Sequence, residues 1–140
     1  MPLPSPYHRV AASACLFSLL ACTAPVRHLD APLAIGPYSA AVAAHGLVFV
    51  AGQVGRERSS FAAEVGSAID GVALHLQRLG LGLEHVVSTN VYLVDIADFA
   101  AMNEVYARRF PEPRPARTTV AVQALPGGAR FEIQCTAAQR

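Results

Sequence analysis

The side chains able to do chemistry leave few reaction types open. All 11 cationic residues are arginine, so no lysine amine is present to form a Schiff base with a carbonyl substrate. The cysteines form no CxxC pair, and the histidines show no HExxH or HxxxH spacing for a metal. These residues are Cys15, Cys22, Cys135, His8, His28, His45, His75 and His85. We therefore expect a reaction that uses neither a metal nor a cofactor.

The elements that position any site are expected to belong to one domain. The chain has 140 residues, and without an atypical N-terminal stretch about 115 remain, enough for one core. Hydrophobic residues make up 53% of the chain, and this excess of apolar surface favours a subunit interface. The 11 cations and 10 acids form no run of like charge, which argues against a nucleic-acid partner.

Residues 1–24 differ from the rest, and we expect the folded domain to cover residues 25–140. His8 and Arg9 precede an apolar run over residues 10–21, which has the length of a signal peptide but is too short to span a bilayer. The run ends in LLAC, which is similar to a bacterial lipobox and would place Cys22 on a lipid anchor in a periplasmic or membrane-attached protein. An upstream start codon, or a disordered extension of a cytoplasmic protein, explains the same residues equally well.

The first half of the domain is predicted to form a hairpin and a helix. The segment SAAVAAHGLVFVAGQ predicts two short strands joined at His45 and Gly46. From Phe61 onward, apolar residues recur at the spacing of one helix face, and Gly80 and Gly82 end the helix. That face carries Val65, Ile69, Val72, Leu76 and Leu79.

The second half is predicted to contain a strand, a helix and a further hairpin. The segment from His85 alternates as a mid-sheet strand does, with Val87, Thr89, Val91 and Leu93 on one face. Asp98 is the expected N-cap of a second helix that closes at Pro111 and carries Phe99, Met102, Val105 and Tyr106 on one side. Residues 118–124 and 130–136 alternate and are linked by LPGG, which predicts a hairpin. The order ββαβαββ is typical of an α+β domain with helices on one face of the sheet.

Four segments, taken in order, resemble the RidA/YjgF family of reactive-imine deaminases, also called the L-PSP endoribonuclease family. They are APLAIGPYSAAV, FVAGQVG, DFAAMNEVYARRF and PARTTVAVQALPGGARFEI. Each segment alone is weak evidence for the family, but the four together cover nearly the whole predicted domain and are specific for it. The resemblance implies a chorismate-mutase-like fold and a homotrimer whose sheets pack around a barrel. It also implies three clefts between neighbouring subunits.

The resemblance assigns residues to these clefts. Arg117, in the PAR motif, matches the carboxylate-binding arginine, and a planar guanidinium holds a planar carboxylate through two charge-assisted hydrogen bonds. Glu132 matches the acidic residue that orients or deprotonates the attacking water. Tyr38 and Asn103 match polar residues that hold the substrate. Each residue also has a purely structural interpretation. Arg117 could be a solvated edge residue and Glu132 an outward carboxylate, while Tyr38 could belong to the core or an interface and Asn103 to the surface. Cys135 is expected to be a buried, inert thiol.

Two departures from the family pattern lie near the expected cleft. Ala51 stands before Gly52 where the family commonly has serine, so this substrate-contacting segment lacks one hydroxyl. The stretch over residues 55–63 and the stretch between Tyr106 and Arg117 are shorter than usual. The sequence therefore also allows a preference for substrates other than short aliphatic imines.

The implied activity is hydrolysis of 2-imino or enamine acids to 2-oxo acids and ammonia. Arg117 would hold the carboxylate beside the reacting carbon, water attack would give a carbinolamine, and ammonia would then leave. The alternative is a non-catalytic member of the same fold that binds a small carboxylate for sensing or regulation. Endoribonuclease activity ranks last, because the chain lacks a basic surface and a histidine pair.

Overall fold

The computed structural model describes residues 25–32 and 34–139. The predicted signal-like stretch, with its LLAC segment and Cys22, lies outside the described residues. Within these ranges, no helix is long and apolar enough to cross a membrane.

A mixed six-stranded sheet with two helices forms the domain. The strands are β1 (Arg27–Leu29), β2 (Ala41–Ala44), β3 (Leu47–Val54), β4 (Val86–Leu93), β5 (Ala116–Ala121) and β6 (Phe131–Ala138), and the helices are α1 (Phe61–Gln77) and α2 (Phe99–Arg109). In the sheet order β1-β2-β3-β6-β4-β5, only β4 and β5 pair in parallel. The α+β class and the predicted order are confirmed, with the short β1 as an additional strand.

The first hairpin and α1 form where the sequence predicts them. His45 and Gly46 have φ values of 50° and 77°, the left-handed conformation that a two-residue hairpin turn requires. Helix α1 begins after Ser60, whose hydroxyl accepts a hydrogen bond from the backbone N–H of Ala63. Its predicted apolar face is buried in the core, and only Leu79 is partly exposed. Gly80, at φ 75°, follows the end of the helix.

The predicted hairpin between β5 and β6 is wrong. Strand β5 pairs in parallel with β4, and β6 lies on the other side of β4. The reason is the crossover through α2, which brings β5 back alongside β4 in the same direction. The chain then passes the C-terminal end of β4 through the Gly127 and Gly128 segment, and β6 lies between β3 and β4. A Pro/Gly loop indicates a change of direction, but it does not specify the neighbouring strand.

Strand β4 lies in mid-sheet as predicted, but two details of the prediction are wrong. Val87 is 47% exposed, because a register shift between Val86 and Ser88 turns it away from the core. Asp98 occupies the N-cap position of α2, but its side chain makes no capping hydrogen bond. The nearby Asp95 carboxylate instead accepts from the backbone N–H of Ala97.

The two faces of the sheet have different surroundings. On β6, alternate residues from Phe131 to Ala137 are buried against the helices, and the residues between them face the other side. This second face, which we call the open face, also carries the exposed apolar side chains of Phe49, Val87 and Val120. Exposed apolar residues on an uncovered sheet face are typical of an interface.

Candidate functional site

Arg117 lies on the edge strand β5 and points toward α2. One guanidinium nitrogen donates to Asn103 Oδ1 at 2.7 Å, and the guanidinium carbon lies 4.6 Å from the centroid of the Tyr106 ring. Phe99 lies on its other flank, with its ring centroid at 5.7 Å. In the described part of the chain, Arg117 forms no ion pair with a carboxylate. The structure therefore holds a cation in place and leaves its charge available to an anion.

The ring of Tyr106 beneath Arg117 is itself held in place. Its hydroxyl shares a buried hydrogen bond of 2.8 Å with Thr89, and its ring stacks on Phe110 with centroids 4.3 Å apart. Burial raises the pKa of Tyr106, although the Thr89 hydrogen bond and the charge of Arg117 oppose that rise. The phenol therefore stays neutral at pH 7 and supports the guanidinium.

A groove of about 400 Å³ opens beside this group. It is lined by Asn103, Tyr106, Ala107, Arg114, Pro115 and Arg117. Its size suits a small molecule.

Glu132 lies on the open face of the sheet, beside Gly52 of β3. A side chain at Gly52 would overlap the Glu132 carboxylate, so any larger residue there would displace the end of the Glu132 side chain. Ala51 and Gly52 together lie opposite the single residue Gln134, in a β-bulge that aims this segment at Glu132. Burial raises the pKa of the Glu132 carboxyl, and no hydrogen bond or charge offsets it.

Tyr38 lies close in the chain to a backbone contact with the bulge. It is 47% exposed and precedes β2, and the Ala51 N–H donates to the carbonyl of Ala40 two residues beyond it. The predicted site residues therefore fall into two sets. The Arg117 group consists of Arg117, Asn103 and Tyr106, and the Glu132 group consists of Glu132, Ala51, Gly52 and Tyr38.

A single chain does not bring the two groups together. Arg117 is in register with the buried Thr89 on the helix face, whereas Glu132 is in register with Tyr92 on the open face. The two residues are two strands apart and three residues apart along the strand direction, so their backbones are roughly 14 Å apart. Their side chains also leave opposite faces of the sheet. No small imino acid can contact both within one subunit.

Two residues of this region were not predicted to belong to the site. Tyr106 was expected only on the core face of α2, although the three-residue step from Asn103 indicates that the two share a face. Arg114, which lines the groove, was not singled out, because no spacing rule distinguishes it from a surface arginine.

Other titratable groups have structural roles. Glu64 is 1% exposed and accepts hydrogen bonds from the backbone N–H and the Nε of Arg130 at 2.7 and 2.8 Å. Cys135 is buried as predicted, and burial raises the pKa of its thiol to about 12. Among the described residues, no cluster of three histidine, cysteine or acidic side chains is arranged to hold a metal ion.

Comparisons of sequence and of structure with known proteins identify relatives from the same family. Residues 28–139 match the family described as Endoribonuclease L-PSP. The mitochondrial protein mmf2 of Schizosaccharomyces pombe is 42% identical over 112 residues, covering 74% of this chain and 89% of that protein. The 2-iminobutanoate/2-iminopropanoate deaminase of Homo sapiens is 40% identical over 116 residues, covering 78% and 85%. The crystal structure of RidA from an Antarctic Psychrobacter species superposes with a TM-score of 0.74 at 35% identity, covering 81% of this chain and 97% of that one.

Proposed function

Because the chain belongs to the endoribonuclease L-PSP family, also called RidA/YjgF, we propose that it hydrolyses 2-imino acids and their enamine tautomers to 2-oxo acids and ammonia. Its fold is that of the YjgF and RidA structures, and the human relative named as an imine deaminase supports the activity. The observation that carries the proposal is the guanidinium of Arg117, held by Asn103 and Tyr106 with no carboxylate partner in the described part of the chain.

In this proposal Arg117 binds the substrate carboxylate. A guanidinium has five N–H donors, and the hydrogen bond to Asn103 leaves enough of them for a bidentate contact. The imine carbon is bonded directly to the carboxylate carbon, so this contact also places the reacting carbon. Asn103 and Tyr106 keep the guanidinium from turning away when the substrate is absent.

Glu132 then acts on the water. A carboxylate of raised pKa is a better proton acceptor near neutral pH than an ordinary surface glutamate, and burial gives Glu132 this property. Water oxygen adds to the imine carbon while Glu132 accepts a water proton, and the imine nitrogen takes up a proton, which gives the carbinolamine. The proton held by Glu132 then passes to the carbinolamine nitrogen. Formation of the C=O bond breaks the C–N bond and releases ammonia, while Glu132 takes up the hydroxyl proton and returns it to solvent.

The two groups meet in this proposal between neighbouring subunits of a homotrimer. The roughly 14 Å separation within one chain requires Arg117 of one copy to face Glu132 of another. The exposed apolar residues of the open face provide a surface for such packing. A site at a subunit boundary also explains why Arg117 lies on an edge strand.

The proposal is tested with imines generated in situ by an amino acid oxidase and trapped with semicarbazide. The purified protein should suppress trapping, and Arg117→Ala should not. Arg108→Ala, an exposed arginine on the same helix as Asn103, is the matched control and should behave like the unaltered protein. A folded protein that leaves trapping unchanged for every imine tested would refute the deaminase.

The alternative function, binding of a small carboxylate without turnover, is supported by one observation. Ala51 offers a methyl group in the bulge beside Glu132, where a serine would offer a hydroxyl. Saturable binding of a 2-oxo acid, lost in Arg117→Ala and accompanied by no ammonia release, would favour this function over the deaminase.

We also propose export with lipidation at Cys22, on the basis of the LLAC segment alone. Fractionation of cells that express the full chain or Cys22→Ala tests it. Export predicts a membrane-associated chain that the substitution releases, and an unchanged soluble distribution would refute it.

A further inference from the structure

A second arginine lines the groove beside Arg117. Arg114 donates to the backbone carbonyl of Ala107 at 3.4 Å and forms an ion pair with Glu112. It belongs to the stretch between Tyr106 and Arg117, which the sequence predicts to be shorter than in most of the family. The lining of the groove therefore includes two cationic side chains.

The positions of the two arginines around Tyr106 show that they share one space. Burial raises the pKa of Tyr106, and the charges of both Arg117 and Arg114 oppose that rise. Both guanidinium groups therefore lie near the same phenol, and both side chains line the groove. Besides the two arginines, the groove is lined by Asn103, Tyr106, Ala107 and Pro115.

The ion pair of Arg114 does not block this role. The side chain of Glu112 is 68% exposed, and an exposed ion pair of this kind contributes little net free energy. Arg114 also has further N–H donors beyond those used by Glu112 and Ala107. A ligand carboxylate can therefore displace Glu112 or bind beside it.

We infer that the groove takes 2-imino acids with a second carboxylate on the side chain, of the kind derived from aspartate or glutamate. Arg117 holds the carboxylate next to the imine carbon, and Arg114 holds the distal one. The inference rests on the proposed deaminase and names its substrate class. The chemical step is unchanged, since the distal carboxylate is only bound.

The kinetic test compares kcat/KM for imines made from alanine, aspartate and glutamate by the corresponding amino acid oxidases. The unaltered protein should prefer one of the dicarboxylic imines. Arg114→Ala should lower that preference about tenfold, the effect of losing one hydrogen-bonded charge contact. Glu112→Gln, which removes the competing carboxylate, should increase the preference, and Arg108→Ala should leave it unchanged. If the preference is the same in Arg114→Ala, the inference is wrong while the deaminase stands.

A binding measurement separates the inference from the activity. Calorimetry on the full chain should show tighter binding of succinate or glutarate than of propionate, and Arg114→Ala should remove the difference. Equal affinity for the three acids in the unaltered protein would overturn the inference whether or not any imine is hydrolysed. Tighter dicarboxylate binding without turnover would support the groove assignment and refute the deaminase.

Discussion

Two regions of this small domain differ in whether their charged side chains are paired. Where α1 meets the start of β6, Glu64 is buried and both of its oxygens are bound by Arg130. In the candidate site, Arg117 has no carboxylate partner in the described part of the chain, and Glu132 is desolvated with nothing to offset it. Paired charges of the first kind hold elements together, whereas unpaired ones of the second kind cost stability and remain available for chemistry.

The largest expected effect is on the chemical step. Glu132→Gln should lower kcat on the order of 1,000-fold, since it removes the proton acceptor. In the unaltered protein kcat should fall as the pH drops through the raised pKa of Glu132, which lies above its ordinary value of 4.5. The substitution should remove this acid limb from the pH profile.

The same substitution should not weaken the fold. A carboxyl whose folded-state pKa is raised destabilises the folded state increasingly as the pH rises through that pKa. Urea unfolding at pH 7 should therefore give Glu132→Gln a free energy of unfolding equal to or above that of the unaltered protein. A clear loss of stability would mean that Glu132 is a structural residue.

The next effect is on substrate binding. Arg117→Ala should lower kcat/KM on the order of 100-fold, the loss of a bidentate contact between charged groups. Arg117→Lys should recover little of it, because an ammonium cannot reproduce the planar fork. A lysine variant with full activity would show that only the charge matters and would contradict the proposed geometry.

A substitution in the Glu64–Arg130 pair should change stability and not activity. Glu64→Gln should lower the free energy of unfolding by about 2 kcal/mol, less than for a fully buried pair because Arg130 is 44% exposed. Chemical denaturation measures the loss, and kcat/KM at a temperature where the variant stays folded should be unchanged. A stable variant with reduced kcat would remove the contrast between the two regions.

The smallest expected effect concerns the support of Arg117. Thr89→Val leaves the Tyr106 hydroxyl buried without its partner and should cost about 1–3 kcal/mol of stability. The double variant Thr89→Val with Tyr106→Phe should cost less than the sum of the single variants, because no polar group is then left unpaired. KM should rise a few-fold in each variant while kcat changes less. Strictly additive losses would show that the two hydroxyls are not coupled.

Local patterns in the sequence predicted most of the elements but not the sheet order. The apolar face of α1 and the turn at His45 depend on neighbouring residues, and both are found as predicted. The error at β5 and β6 arose because LPGG is a local signal, whereas the insertion of β6 between β3 and β4 depends on contacts distant in the chain. The pairing of Glu64 with Arg130 spans 66 residues and leaves no local pattern.

The candidate site was predictable only in part for a related reason. Family motifs identified Arg117, Asn103 and Glu132, since each lies within a recognisable segment. Motifs do not encode which face of the sheet a side chain leaves, and that depends on register and on the bulge at Ala51 and Gly52. The separation of Arg117 from Glu132 therefore emerged only from the strand pairing.

The central claim, a deaminase site shared between subunits, is tested most directly by mixing two impaired variants. Arg117→Ala and Glu132→Gln should each be strongly impaired alone, and co-refolding equal amounts should give mixed trimers if the protein is the proposed homotrimer. If the two residues come from different copies, about a quarter of the sites regain both native side chains, and ammonia release should recover to roughly that fraction. If mixed trimers form but no activity returns, both residues must serve the same site from one chain, and the shared site proposed here is contradicted.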